Sequence, residues 1–187
     1  MHNNIDDMAR DLTITVHVTN SLSAMEKNGI VSVCNEAFPE AFDELFEFIP
    51  PDGIHICGHL PDGLCSHAVI SKRDMIIDGI NLRAAYVDAV ATLPAKQGQG
   101  YASAIMREAM HVAAETFDIG GLSTFRPDWY RRLGWEVWNG LLSLRRGSEI
   151  ITEPNIKGTV MIYRFPHTPM FTCDQSLTAS WRPGGSW

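Results

Sequence analysis

Between Asn28 and Ser71 the chain has no lysine or arginine, although that stretch carries Glu36, Glu40, Asp43, Glu44, Glu47, Asp52 and Asp62. Basic clusters are scarce elsewhere too: Arg131-Arg132 and Arg145-Arg146 are the paired arginines, and the net charge is −7. A sequence pI near 5.4 argues against a nucleic-acid partner or an anionic membrane surface, which would need a concentrated positive patch. Cysteine is sparse: Cys34, Cys57, Cys65 and Cys173 contain no C-x-x-C pair, which excludes a disulfide scaffold and fits a reducing compartment. No apolar run approaches the roughly 20 residues that a membrane span needs, and Met1 to Asp11 is polar rather than signal-like. The expectation is a cytoplasmic protein with no membrane and no nucleic-acid partner. Internal repeats and low-complexity tracts are also missing, so function must reside in sites on a compact fold.

What the chain does have is apolar content, 45% over 187 residues, enough to bury the core of a single domain spanning 1–187. Leu12 to Val18 alternates as a strand. Ser21 or Ser23 can cap a helix in which Ile30, Val31, Cys34, Ala37 and Phe38 recur at helical spacing before Pro39. A short helix is expected over Ala41 to Ile49, ending at Pro50-Pro51. Period two then takes over, predicting strands at Gly53 to Leu60, Leu64 to Lys72, Met75 to Ile77 and Leu82 to Leu93, with turns at Pro61-Asp62-Gly63 and Asp78-Gly79. A helix is predicted over Tyr101 to Phe117 with Gly120-Gly121 as its stop. After it come a strand at Leu122 to Phe125, a helix from Pro127-Asp128 to Gly134, and a strand at Trp135 to Val137. Leu141 to Leu144 and Thr159 to Phe165 read as closing strands around a polar loop at Gly147 to Lys157, followed by a tail without clear period. The order implies a mixed α/β sheet with helices on its faces.

The junction Gln97-Gly98-Gln99-Gly100-Tyr101-Ala102 has the character of an anion site. A pyrophosphate needs converging backbone N–H groups, and a helix's first turn supplies them with a partial positive charge. Gly98 and Gly100 lack a Cβ and can adopt positive φ. Two further features add weight. The strand Tyr86-Val87-Asp88-Ala89-Val90-Ala91-Thr92 places a carboxylate, Asp88, inside an apolar run, where it must be paired or line a pocket. In Trp129-Tyr130-Arg131-Arg132-Leu133-Gly134-Trp135 a phenol stands four residues before a helix-ending glycine.

These segments resemble the GNAT superfamily of N-acetyltransferases. Gln97, Gly100 and Ala102 match its Q/R-x-x-G-x-G/A motif, and Tyr130, Gly134 and Trp135 match its downstream Y-x-x-x-G-W/F. Within the superfamily the chain is most similar to the aminoglycoside 2'-N-acetyltransferases, through Tyr86-Val87-Asp88, Val90-Ala91, Leu122-Ser123, Trp181-Arg182 and Trp187. The resemblance implies a GNAT-like fold: a central antiparallel meander, a strand pair splayed by a bulge, and helices on both faces. It implies acetyl-CoA as cosubstrate, held at its pyrophosphate by Gln97, Gly98, Gln99, Gly100, Tyr101 and Ala102 and along its pantetheine arm by Val90 and Thr92. Backbone N–H groups around Val90 would hold the thioester carbonyl, and Tyr130 would give a proton to the sulfur. Reference values of about 8.5 for a thiol and about 10 for a phenol make hydrogen-bond donation the main part of that role. Asp88, where the relatives carry glutamate, is the candidate base, acting through water; ion-pairing with Arg83 or capping a bulge is its structural alternative.

The amine acceptor would be met by Glu40, Asp43, Glu44, Asp88, Ser123 and Trp187, an acidic field suited to a polycationic amino sugar. Where the relatives place acids for the drug, this chain has Ala41, Phe46, Lys157 and Gly185. That favours a less basic aminoglycoside such as kasugamycin and, with it, antibiotic resistance. A homodimer is implied by the same resemblance. Two other readings stay open: a GNAT enzyme for another small-molecule or protein amine, and a zinc protein built on His55, Cys57, His59, Cys65 and His67.

Overall fold

The computed structural model describes residues 11–153, 156, 158–183 and 187. Their contacts divide into two compact units, Met1–Ser71 with Val87–His111, and Lys72–Tyr86 with Val112–Trp187.

The first unit opens with strand β1 (Thr13–Val18), whose β-branched alternation keeps it extended. Helix α1 (Ala24–Ala37) follows, and Ser23 starts it through a capping box with Glu26. This satisfies two amides that a helix start otherwise leaves unpaired. Helix α2 is only Leu45–Phe48, shorter than the Ala41 to Ile49 expected. Asn35 accounts for the difference: its side chain accepts from Phe42 N–H at 2.6 Å and donates to Asp43 at 2.9 Å, fixing that stretch as a turn. Strand β2 (Ile54–Leu60) pairs antiparallel with β1 and with the first part of β3 (Gly63–Ile77). β4 (Ile80–Thr92) delivers Val87 to Thr92 to this unit, and helix α3 (Tyr101–Ala113) begins here. Ile30, Val33, Cys34, Leu45, Ile49, Cys57, Val69 and Ala91 form its apolar core.

In the second unit the later part of β3, one strand where two were expected, continues because Lys72 and Asp74 face outward while Arg73 is buried between them. The chain then forms β5 (Ile119–Ser123), α4 (Pro127–Arg131), β6 (Glu136–Val137), β7 (Leu142–Arg146), β8 (Glu149–Thr152), β9 (Val160–Arg164) and β10 (Leu177–Ser180). The strand order is β6-β9-β5-β4-β3-β10-β7-β8. β5 joins β4 in parallel from Ala84↔Ile119 to Tyr86↔Gly121, and β10 runs parallel to β7, so the sheet is mixed as expected.

Three expectations need correction. Gly120-Gly121 does not stop a helix; both lie in β5, and α3 ends at Ala113. The physical reason is packing, since a Cβ on Gly121 would come within 2.7 Å of Met75 and 3.2 Å of Tyr86. The segment expected to be a polar loop contains β8, turned at Gly147 (φ 61°) into a hairpin with β7. The tail supplies β10, which inserts between β3 and β7. No helix among the described residues is long and apolar enough to cross a membrane.

Candidate active site

In the first unit the candidate residues lie along the end of β4 and the loop after it. β4 is buried from Ala84 through Val87, becomes partly exposed at Asp88, Ala89 and Val90, and is buried again at Ala91 and Thr92. Ala89 has φ 49°, in the left-handed region. Holding a residue with a Cβ there costs about 1–3 kcal/mol and persists only where surrounding contacts demand it. The conformation breaks the strand's alternation, as a bulge does. Two buried polar groups grip the backbone at Ala89 and just after it. His67 Nδ1 lies 3.1 Å from the Ala89 carbonyl. Ser66 donates to the Ala91 carbonyl at 2.9 Å and lies 2.7 Å from the Thr92 hydroxyl.

His67 is itself bonded to His55 (Nε2 to Nδ1, 3.0 Å), and His55 Nε2 to the Thr19 hydroxyl at 3.0 Å. The two imidazoles sit diagonally across β2 and β3, on the face where His67 opposes Cys57 and Val69 opposes His55. Phe46 of α2 stacks on His55 at 5.5 Å. Burial holds both imidazoles well below the usual histidine range. His55 falls to about 4, with the positive charges of His17 and Lys27 adding to the effect; His67 falls to about 3, with His55 adding. Both are neutral at pH 7.

The loop has the geometry an anion requires. Gly98 and Gly100 have φ 76° and 84°. The Gly100 carbonyl accepts from Ala104 N–H at 3.0 Å, closing the first turn of α3, so the amides ahead of Ala104 have no intrahelical acceptor. Side chains brace the loop rather than fill it: Gln97 donates to the Thr92 carbonyl at 3.1 Å, Gln99 to Ala95 at 3.3 Å, and Tyr101 to Gln99 at 3.2 Å. Lys96 pairs with Asp62 at 2.8 Å, fixing the start of the loop to the β2-β3 turn. Glycines with positive φ flanking a helix start form a concave row of N–H groups, and these residues fit a pyrophosphate. The Thr92 side chain is buried against Ser66, so any contact it makes outward is through its backbone. Glu40, Asp43 and Glu44 are exposed at the turn before α2.

In the second unit Tyr130 is buried on α4, which Pro127 opens. Trp129 meets its ring edge-on at 4.6 Å and Trp135 at 6.0 Å. The Tyr130 carbonyl accepts from Leu133 and Trp135 N–H, and Gly134 turns the chain at φ 90°. Aromatic contacts on two sides leave the ring little rotational freedom. Ser123, exposed at the end of β5, donates to Thr159 at 3.4 Å. Trp187 is partly buried against the apolar core, with the Arg73 guanidinium 5.1 Å from its ring centre.

Two alternatives lose their footing here. Arg83, the suggested partner of Asp88, is held by Asp118 through its backbone N–H, Nε and Nη2 at 2.7–3.2 Å. The zinc reading is unsupported: among the described residues no three His, Cys, Asp or Glu side chains gather as a metal site. His55 and His67 bond to each other, His59 to Thr15, and Cys57 packs in the core. Lys157 and Gly185 lie outside the described residues. Sequence reading noticed His55 and His67 as chemistry-bearing residues but missed their acceptor, because alanine gives no sign of a left-handed conformation.

Comparison with known proteins converges on one family. Residues 22–138 match the family described as Acetyltransferase (GNAT) domain, a match that includes β4, the loop, α3 and Tyr130. An aminoglycoside 2'-N-acetyltransferase from Mycolicibacterium fortuitum is 27% identical over 90% of this chain and 89% of its own. Among solved structures, the GNAT family N-acetyltransferase YhbS from Escherichia coli, in complex with CoA, shares the fold with TM-score 0.63 at 16% identity, covering 89% of each chain. Escherichia coli ElaA does so with TM-score 0.59 at 15% identity, covering 82% of this chain and 99% of its own. The family match spans more than half of the sequence and includes the glycine-bearing helix start, so this chain belongs to the GNAT acetyltransferases, enzymes that draw their acetyl group from acetyl-CoA.

Proposed function

We propose that this chain acetylates an amino group of an aminoglycoside, at a 2'-amino position, and that a weakly basic member such as kasugamycin is the preferred acceptor, with antibiotic resistance the result. The observation that carries this reading is the likeness to the Mycolicibacterium fortuitum aminoglycoside enzyme, which runs through nine-tenths of both sequences. The acidic stretch from Glu36 to Asp62, without a compensating lysine or arginine, supports a cationic acceptor.

Acetyl-CoA supplies an acetyl group already activated as a thioester. The residues have separate tasks. The loop from Gln97 to Ala102 binds the pyrophosphate with backbone N–H groups, and Val90 and Thr92 bind the pantetheine arm. The Val90 N–H stabilises negative charge on the carbonyl oxygen. Asp88 takes the proton released by the acceptor nitrogen through water, and the Tyr130 hydroxyl donates to the departing sulfur. Glu40, Asp43 and Glu44 attract the acceptor's ammonium groups, and Ser123 and Trp187 contact its sugar. The chain acts as one domain and pairs as a homodimer, which sedimentation would test.

The deciding experiment follows free-thiol release from acetyl-CoA with a panel of aminoglycosides, kasugamycin included, beside simple amines and peptides. Acetylation at the 2'-amino group, mapped by NMR of the product, is the expected outcome. In that assay Tyr130→Phe should slow single-turnover release about a hundredfold. Turnover with peptides but no aminoglycoside would redirect the substrate while leaving the acetyltransferase intact.

A further inference from the structure

The hydrogen-bonded series Thr19–His55–His67–Ala89 is buried in the first unit, and its direction can be worked out. The Ala89 carbonyl can only accept, so His67 Nδ1 carries the hydrogen. A neutral His67 then presents a lone pair at Nε2 and accepts from His55 Nδ1–H. That leaves His55 Nε2 as acceptor for the Thr19 hydroxyl at 3.0 Å. The Gly53 carbonyl, 3.2 Å from the same hydroxyl, stays satisfied by the Thr19 N–H at 2.8 Å. With both rings neutral this is the one arrangement that serves all three bonds of the series, and it ends on the carbonyl of the left-handed residue in β4.

We propose that His67, held in its tautomer by His55 and Thr19, is a positioning residue for acetyl transfer that fixes the left-handed turn at Ala89 and so aims the Val90 N–H and the Asp88 carboxylate. Three observations carry the assignment. Ala89 adopts φ 49° without being glycine, so the conformation needs an outside hold. His67 is fully buried and spends its Nδ1–H on that carbonyl. Asp88 and Val90 are the residues immediately on either side, at the stretch where β4 becomes accessible. An ordinary core histidine would show the burial without this acceptor. The inference rests on the reading that Asp88 and Val90 serve the chemistry, and the test separates the two.

The measurement on unaltered protein is the imidazole nitrogen spectrum by NMR, with His67 assigned by its loss in a variant. It should show the Nδ1–H tautomer; an Nε2–H tautomer overturns the proposal whatever the variants do. The kinetic arm compares His67→Leu, His67→Asn and His67→Gln for thiol release with the best acceptor of the amine panel, beside CoA binding by calorimetry. Asparagine sets an amide N–H near the Nδ1 position, whereas glutamine reaches toward the Nε2 position. Leucine should therefore lower kcat about ten- to a hundredfold, a size typical of misplaced reacting groups, with CoA affinity within about threefold. Asparagine should restore most of kcat and glutamine should not. Equal rates for asparagine and glutamine, or a folded leucine variant with unchanged kcat, would overturn the positioning role. Val90→Pro, which deletes the N–H itself, tests the underlying reading: a slow Val90→Pro beside a normal His67→Leu removes the His67 proposal alone, and an unaffected Val90→Pro removes both.

Discussion

The interiors of the two units are built from different materials. In the first, Thr19, His55, Ser66, His67, Ser71 and Thr92 are buried polar groups among the described residues; in the second only Arg73 and Ser143 are. The second instead packs Trp138, Tyr86, Ile119, Leu144 and Phe171 in one apolar cluster, and Trp129, Trp135, Trp138, Trp181 and Trp187 all lie in this second unit. A buried polar network fixes backbone direction at the cost of desolvation, whereas close packing fixes volume. The first unit spends that directional control on Ala89, Ala91 and Thr92, the backbone beside the candidate chemistry. The second uses packing to hold aromatic side chains such as Tyr130 at one angle.

Packing should therefore be the more brittle of the two. Gly140 shows where: a Cβ there would stand 1.8 Å from the Gln175 carbonyl oxygen and 2.6 Å from Asp174 backbone atoms. These are main-chain atoms held by Asn139 and Gly140 N–H bonds to Cys173, so neither side can yield cheaply. Gly140→Ala should cost about 3 kcal/mol or more. For a chain of this length that lowers the melting midpoint by roughly 6–12 °C. Tryptophan fluorescence reads the second unit directly, and an unshifted midpoint would mean that its interior is looser than its contacts imply.

Acid should break the first unit's device before the second's. Unfolded histidines take up protons near pH 6.5, while His55 and His67 hold out to about 4 and about 3 because they are buried. The unfolded chain thus binds more protons across that window, and stability falls as pH drops from about 6.5, being flat above it. The second unit's contribution has the same sign but a lower window. Asp118, lowered from 3.8 by its bonds to Arg83, loses stability only below that ordinary value. Urea midpoints by circular dichroism should decline between pH 6.5 and 4, and His67→Asn should make the decline shallower. An equal slope in the variant would place the proton uptake elsewhere.

How much of this the sequence discloses depends on whether the signal is local. The capping box at Ser23 and Glu26, the loop glycines and the Tyr130 to Trp135 run are each written within a few residues, and each lies where local rules place it. Gly121 was misread because a glycine needed for close approach by Met75 and Tyr86 looks the same as one needed for a turn. β10 was unreadable for a similar reason: Leu177–Ser180 is a strand because β3 and β7 flank it, a relation of positions a hundred residues and thirty-five residues away. The partner of His67 is hidden more deeply, since its acceptor is a main-chain carbonyl and its importance lies in the backbone angle of an alanine. Family likeness supplied the bulge as an expectation; only coordinates supply what holds it.

The smallest effect should come from the loop itself, and it sharpens the contrast between glycines in the two units. Gly98 and Gly134 both have left-handed φ, 76° and 90°, yet a Cβ on Gly98 would meet nothing within 4 Å, while one on Gly134 would press on the Tyr163 ring at 3.3 Å. Gly98→Ala therefore introduces conformational strain alone, about 1 kcal/mol. If the loop's N–H groups bind the pyrophosphate, that strain shifts them away from the ligand and appears as a roughly fivefold rise in the KM for acetyl-CoA, with kcat kept. Gly134→Ala adds a packing conflict beside Tyr130 and should lower stability and kcat while leaving that KM near its original value. Should Gly98→Ala change neither constant, the phosphate grip would have to be carried by Gly100 and the first turn of α3, where the left-handed φ of 84° stands directly before the helix.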